Sequence, residues 1–390
     1  MQAPILKISH GKVITPGGIL SGHDLLIQNG KILEITNKQQ EIPGVQTLDA
    51  QGCYVAPGCI DTHLHGGGGH DFMEATPEAF YAIAKAHARY GMTALYPTIA
   101  AASMKTFYQA IDACEKTMND PGEGAQIMGL HLEGNYLNKQ MKGGQNPDYI
   151  YAPDPKEYKD LLERTDCIKR WSASPELAGA LDFGRYATQK GVLVSLAHTT
   201  ARYELVKEAF DAGYTHATHF YNAMTSVHKA REYKYEGTIE AIYLMDDMTV
   251  ELVTDGIHVP PAILKLAHKL KGVERTSLVT DAMSAAAWPD GDISTIDPRL
   301  IIEDGVSKLA DRSALASSIA TADRMIRTMV TQADVPLTDA VRMAAESPAR
   351  VMGILDRKGS LEKGKDADII LFDPEINIRY TLVGGKIVFQ

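Results

Sequence analysis

The sequence predicts an α/β fold: a distorted, TIM-like (β/α)₈ barrel over residues 56–353, with a small β-sandwich domain built from both termini, residues 1–55 and 354–390. Three observations predict it. From about residue 58 a strand–loop–helix pattern repeats eight times, and strands alternating with helices pair in parallel. Both ends of the chain read instead as short strands joined by tight turns. Side chains able to bind a metal fall at the ends of strands one, three, five, six and eight, and in such a barrel all carboxyl ends of strands meet on one face.

At the amino end, runs at 5–8, 12–14, 24–28 and 31–35 are strand-like, separated by a turn at Pro16, Gly17 and Gly18 and by Asn29-Gly30. Asn-Gly between two apolar runs is the strongest short hairpin signal, because both turn residues must take positive φ. At the carboxyl end, 367–372 and 380–388 are strand-like, with Gly384-Gly385 as a turn. Neither end makes a full sheet alone, so the two are expected to pair into one domain. Between them the candidate barrel strands are 59–65, 93–98, 127–133, 168–176, 192–198, 214–219, 249–255 and 276–281. The helices between them are punctuated: Thr76-Pro77-Glu78 opens one closing at Gly91, Thr200 opens one closing at Gly213, and one starting at Pro260 closes at Gly272.

Composition bounds the function. An apolar fraction of 45% and a charged fraction of 23% describe a globular chain able to build a large core. A net charge of −10 gives no footprint for nucleic acid, and an anionic substrate would need a local cation. The opening MQAPILKISHGKV lacks the parts of a signal peptide, and no apolar run reaches membrane-spanning length, so a cytoplasmic protein without membrane contact is expected. Cys53, Cys59, Cys114 and Cys167 form no CxxC pair and read as reduced thiols.

The chain is organised around PGCIDTHLHGGGG, residues 57–69. Asp61, His63 and His65 stand at i, i+2 and i+4, so on a strand all three project from one face. The glycines then end the strand and let backbone approach whatever the imidazoles bind. Strands three, five, six and eight end in Glu133, His198, His219 and Asp281. Any one of these alone reads as a satisfied core polar group. Together they form a set of imidazoles and carboxylates suited to a divalent ion, one or two per chain, with zinc first and iron or manganese as alternatives. Such an ion acidifies water, and Asp281 beside it is the natural acid/base, taking the water's proton and delivering it to a leaving amine. That is hydrolysis of an amide or a similar bond. His131, two residues before Glu133, shares its face by parity. His216 falls three residues before His219. His10, His23, His87 and His268 show no partners in sequence, and His70 and Asp71 read as a solvated loop, with lining of the site mouth as the alternative.

The motifs PGCIDTHLH, GLHLEGNYLN, AHTT, ATHFYNAM, DGIHV and LVTDAM, in this order, closely resemble the N-acetylglucosamine-6-phosphate deacetylases of the amidohydrolase superfamily. The resemblance covers nearly the whole chain, including the tail GSLEKGKDADIILFD. HxH is shared across the superfamily, whereas HLEG and ATHFYNAM are specific to the deacetylases. The resemblance implies that Glu133, His198 and His219 hold the principal metal, that His63 and His65 occupy positions binding a second ion in some members, and that Asp281 is the general acid/base. It implies substrate contacts from Gly144 and Gln145 in KGGQNPDY, from Asn222 and Ala223, from His258, and from the loop at Leu315, Ala316 and Ser317. Arg231 matches an arginine that reaches the phosphate in a neighbouring subunit's site, which implies a homodimer acting on a small phosphorylated amino sugar.

Three departures stand out. Gln145 replaces a histidine that polarises the acetyl carbonyl, and an amide can donate a hydrogen bond but carries no charge. The loop LASSIATA has Ser317 where a glycine is common, and the segment between Asn222 and Arg231 is one residue longer. The reading is therefore an N-acetylglucosamine-6-phosphate deacetylase, with N-acetylgalactosamine 6-phosphate as the alternative sugar. A cyclic-amide hydrolase is disfavoured because such enzymes bridge two metals with a lysine ending strand four, which here ends SASPE with Lys169 near its start. A silent binding barrel should have lost a ligand or Asp281, and none is missing.

Overall fold

Eight parallel strands pair in chain order around one axis: β1 (Cys59–Leu64), β2 (Met92–Ala100), β3 (Leu130–Glu133), β4 (Ile168–Ala173), β5 (Leu193–Leu196), β6 (Tyr214–Ala217), β7 (Thr249–Val253) and β8 (Thr276–Val279). The structure, a computed structural model, describes residues 4–37, 44–119, 122–288 and 300–390. The last strand meets the first just beyond its own ladder: the Asp281 N–H donates to the His63 carbonyl at 2.9 Å, and Thr280 donates from its N–H and its hydroxyl to the Asp61 carboxylate at 3.1 and 2.5 Å. The barrel predicted from the sequence is present, and so is a separate sheet domain built from both termini.

Helices wrap the barrel because their apolar stripes face it. Phe80 and Ile83 of Pro77–Ala88, Phe107 and Ile111 of Met104–Asn119, Phe183 of Ala180–Gln189 and Leu264 of Pro261–Lys271 are all buried in the main core. Each such side chain contributes roughly 1.5–3 kcal/mol through burial. Thr76 caps the first helix, its hydroxyl accepting from the Ala79 N–H at 3.3 Å. Thr200 does not open the helix expected of it; that helix runs Tyr203–Asp211, and the Thr200 N–H and hydroxyl are taken by Glu176 at 2.8 and 3.3 Å.

Strand ends differ from expectation in a regular way. Ladders β5, β6 and β8 stop two residues before His198, His219 and Asp281, and these three residues have φ of 46°, 31° and 47°. A residue in the left-handed region cannot continue a strand, so an apolar-run pattern overshoots there. The expected third strand is also split, into Gln126–Ile127 and β3, at Gly129 with φ 141°, where a Cβ would lie 2.8 Å from the Cys167 carbonyl oxygen.

The terminal domain is one rolled sheet. Leu6–Thr15 is a single strand where two runs were expected, its ladder shifting near His10, which takes φ 56°. It pairs with Gly18–Gln28, which returns through Asn29 and Gly30 (φ 54° and 73°) to Lys31–Thr36. Tyr54–Pro57 joins this half to Ile369–Phe372, followed by Ile378–Val383 and Lys386–Phe389. The two halves meet again where the Ala367 N–H donates to the Gly30 carbonyl at 2.9 Å. Ile8, Val13, Leu25, Val55, Ile369 and Leu382 fill the space between. All four cysteines are free, three of them buried, and no helix of the described residues is long and apolar enough to cross a membrane.

Candidate active site

Glu133 closes β3 at the barrel mouth and is almost fully buried. Its Oε1 lies 3.0 Å from Nε2 of both His198 and His219, and its Oε2 lies 3.2 Å from His65 Nε2 and 3.5 Å from His63 Nε2. One carboxylate therefore faces two imidazole pairs, one pair per oxygen. Asp281 completes the ring, with Oδ1 3.3 Å from His65 Nε2 and 3.7 Å from His63 Nε2.

The left-handed turns at His198, His219 and Asp281 cost energy, of order 1 kcal/mol or more each, and are held by dedicated hydrogen bonds. The Ser174 hydroxyl donates to the His198 carbonyl at 2.8 Å, Glu251 accepts from the His219 N–H at 2.9 Å, and the Ser318 N–H donates to the Asp281 carbonyl at 3.0 Å. Outer partners also fix the rings. His63 Nδ1 meets Glu251 Oε1 at 2.6 Å and His198 Nδ1 meets the Met141 carbonyl at 2.7 Å, so the Nδ1 proton is spent there and each Nε2 presents a lone pair.

This donor set fits a cation. His63 Nε2 is buried with no hydrogen-bond partner, and the Nε2 atoms of His198 and His219 face each other at 3.2 Å across Glu133 Oε1. Lone pairs converging with a carboxylate oxygen are the arrangement a divalent ion satisfies. His63, His65 and Glu133 make one group of possible ligands and Glu133, His198 and His219 another, with ligand atoms in each within 4.8 Å of one another. Electrostatics agree. Burial opposes charge on His63, yet Glu251, Glu133 and Asp281 push it well above the usual histidine range; against the same opposition, Asp281 and Glu133 push His65 up to about 10. Burial likewise opposes ionisation of Glu133, but the imidazoles of His63, His198 and His219 hold it well below the usual carboxylate range. The cluster demands positive charge, as protons on the imidazoles or as an ion that replaces them.

The cluster opens into a cleft of about 890 Å³. His65, Glu133, His198, His219 and Asp281 line it, as do Gly144, Gln145, Asn222, Ala223, His258, Leu315, Ala316 and Ser317. His63 lies beneath, fully buried. Asn222 Nδ2 is buried and unpartnered, a donor aimed at no protein group. His258 gives Nδ1 to Asp255 at 2.8 Å. Gln145 donates from Nε2 to Glu133 Oε2 at 2.8 Å and accepts from the Ala101 N–H at 2.8 Å. The Ser317 hydroxyl reaches the Asp281 carbonyl and carboxylate at 3.0 and 3.3 Å. Arg231 is not in the cleft: it is exposed, at the turn between the hairpin strands His228–Ala230 and Tyr233–Tyr235.

Asp61 is not part of the cluster, since its carboxylate is spent on Thr280 and the His63 N–H. Asp71 lines the cleft, the alternative to the solvated loop that its sequence context favoured. His131 lies inside the barrel, its ring edge-on to His63 at 4.7 Å and its nitrogens paired with Thr98 and Ser172. His87 is buried against the Gly66 carbonyl at 2.9 Å. Sequence reading missed Glu251 and Arg170, a fully buried ion pair on β7 and β4. The available signal was only a charged residue in mid-strand, Glu251 in TVELV and Arg170 in IKRWSA, with nothing to say that the two meet.

Comparisons with known proteins agree with this geometry. Residues 54–388 match the family described as the amidohydrolase family. The chain is 32% identical over 377 residues to N-acetylgalactosamine-6-phosphate deacetylase of Escherichia coli O157:H7, covering 96% of this chain and 97% of the relative. It is 30% identical over 386 residues to N-acetylglucosamine-6-phosphate deacetylase of Lysinibacillus sphaericus, covering 99% and 98%. Its structure superposes on that of N-acetylglucosamine-6-phosphate deacetylase from Pasteurella multocida with a TM-score of 0.92 and 26% identity, over 98% and 99% of the two chains. The resemblance read from the motifs is borne out along nearly the whole length, and the chain belongs to the amidohydrolase family.

Proposed function

We propose that this protein hydrolyses the N-acetyl group of N-acetylglucosamine 6-phosphate to glucosamine 6-phosphate and acetate, in amino-sugar catabolism or recycling. The observation that carries the reading is Glu133 between two imidazole pairs, with Asp281 beside them, all lining one cleft except the buried His63. Glu133, His198 and His219 would hold the principal metal ion, and His63 with His65 a second one, with Glu133 shared; zinc suits the donors best. A bound divalent ion supplies Lewis acidity toward water and the acetyl carbonyl. Asp281 accepts the attacking water's proton on its carboxylate and returns it to the amine nitrogen as the C–N bond breaks. Asn222 and His258 offer unengaged polar atoms to the sugar, and Leu315, Ala316 and Ser317 cover it. The barrel, residues 56–353, carries this chemistry, and residues 1–55 with 354–390 form the accessory domain.

No lysine or arginine lines the cleft among the described residues. A dianionic phosphate therefore needs a cation from elsewhere, and Arg231 of a second copy fits that need, in a cytoplasmic homodimer. N-Acetylgalactosamine 6-phosphate is the second reading, favoured by the 32% identity to the Escherichia coli relative. Acetate release from phosphorylated and unphosphorylated N-acetylglucosamine and N-acetylgalactosamine separates them. The proposal expects the glucosamine 6-phosphate derivative to be the fastest of the four, and it fails if an unphosphorylated sugar is.

A further inference from the structure

Glu251 sits in the middle of β7 and points into the barrel, where neither water nor substrate reaches it. Its Oε1 is shared between two groups from different imidazole pairs, His63 Nδ1 at 2.6 Å and the His219 N–H at 2.9 Å. Its Oε2 takes the Arg170 guanidinium and, at 3.4 Å, the Thr62 hydroxyl, with His216 Nε2 at 3.5 Å. Arg170 is anchored in turn by the Ser195 hydroxyl at 3.0 Å, the Thr62 carbonyl at 3.2 Å and the Thr218 hydroxyl at 3.0 Å. Oε2 is thus pinned by Thr62 of β1 and Arg170 of β4, while Oε1 serves the His63 ring and the His219 backbone.

We propose that Glu251 is a positioning residue that sets one ligand of each imidazole pair, with Arg170 as its anchor. At His63 it fixes the proton on Nδ1, so that Nε2 presents its lone pair toward Glu133 and Asp281. At His219 it holds the backbone in the left-handed turn, φ 31°, that aims the ring's Nε2 at Glu133 Oε1. Stability alone does not account for the pair, because a buried ion pair is often no more stabilising than apolar residues of the same volume. The inference rests on the metal reading above, yet its test needs no sugar.

Two substitutions separate positioning from support of the fold. Glu251→Asp keeps a negative charge opposite Arg170 but, one methylene shorter, cannot serve His63 Nδ1 and the His219 N–H together. Glu251→Gln keeps the length and loses the charge. Metal affinity is measured by competition with a chromophoric chelator, and thermal melting is followed on chelator-stripped protein. Both variants are expected to bind metal roughly 10- to 100-fold more weakly than wild type, the usual cost of removing such an outer partner. The larger loss is expected for the ion at His63 and His65, where Glu251 touches the ring itself. Stripped Glu251→Asp should melt within a few degrees of stripped wild type. Wild-type affinity in the folded variants overturns the proposal, and so does failure of both to fold. Wild-type protein that binds metal but releases no acetate would sink the deacetylase reading and leave Glu251 standing.

Discussion

The role proposed for Asp281 is to move a proton rather than to hold the fold. Burial raises its pKa, but the imidazoles of His63 and His65 outweigh that and hold it below the usual carboxylate range, so it starts the cycle ionised and able to accept. Asp281→Asn should lower turnover at least about 10²-fold with metal content largely intact, because the amide can neither take nor return the proton. Acetate release and metal analysis on one preparation check this, and near-normal rates would remove Asp281 from the mechanism. Residues of this kind were legible in the sequence because each is a metal-binding type at the end of an apolar run. Glu251 and Arg170 were not. Nothing in a strand such as TVELV says that its glutamate meets an arginine from IKRWSA across the barrel, and the pairing exists only once the sheet has closed. His131 was half legible: parity gave the face it shares with Glu133, but its partners Thr98 and Ser172 come from neighbouring strands.

At the scale of the element, the eight strands were readable and their ends were not. Apolar or small-residue runs mark β5, β6 and β8, but the left-handed residues that stop the ladders are histidines and an aspartate held by distant hydrogen bonds, which local propensity does not register. The end of β1 carries its own consequence. His63 and His65 face Glu133 Oε2 while the other pair faces Oε1, and a carboxylate can bridge two ions roughly 3.5–4 Å apart. Elemental analysis of saturated wild-type protein should find two ions per chain, and of the His63→Ala, His65→Ala double variant one. No more than one ion on the wild type would leave β1 supplying protons or structure instead. In the terminal domain, Asp366 ties the two ends of the chain together, bonded to Lys31 at 2.5 Å and Arg357 at 2.9 Å with Lys358 at 3.2 Å. Burial opposes its ionisation, but Lys31, Arg357 and Lys358 prevail and lower its pKa to about 2. A depressed carboxylate contributes stability that is full above its unfolded value near 4 and lost as pH falls toward the folded one. Asp366→Asn should therefore cost about 2 kcal/mol in denaturant melts at pH 7, and the gap should narrow below about pH 4. A gap independent of pH would assign the loss to packing.

At the scale of the whole molecule the question is how a chain of net charge −10 holds a phosphate. Its cleft offers the reacting end of a sugar a cation site but no lysine or arginine among the described residues. The basic groups that follow the His219 motif, His228, Lys229, Arg231 and Lys234, stand on an exposed hairpin instead, beside Val227 and Tyr233, which are 55% and 61% exposed. In the homodimer proposed above, the exposed apolar side chains of this hairpin would meet the second copy and the arginine at its turn would enter that copy's cleft. Arginine fits the task because its planar fork can grip two phosphate oxygens at once. Arg231→Ala should lower kcat/KM for the 6-phosphate sugar by roughly 1.5–3 kcal/mol, the worth of a charge-assisted hydrogen bond. The unphosphorylated sugar should be poorly used and nearly indifferent to the change, and sedimentation should find the variant in the same dimer proposed for the wild type. If both sugars lost activity in proportion, Arg231 would be supporting the fold or the dimer, and the phosphate would have to find its cation on another surface.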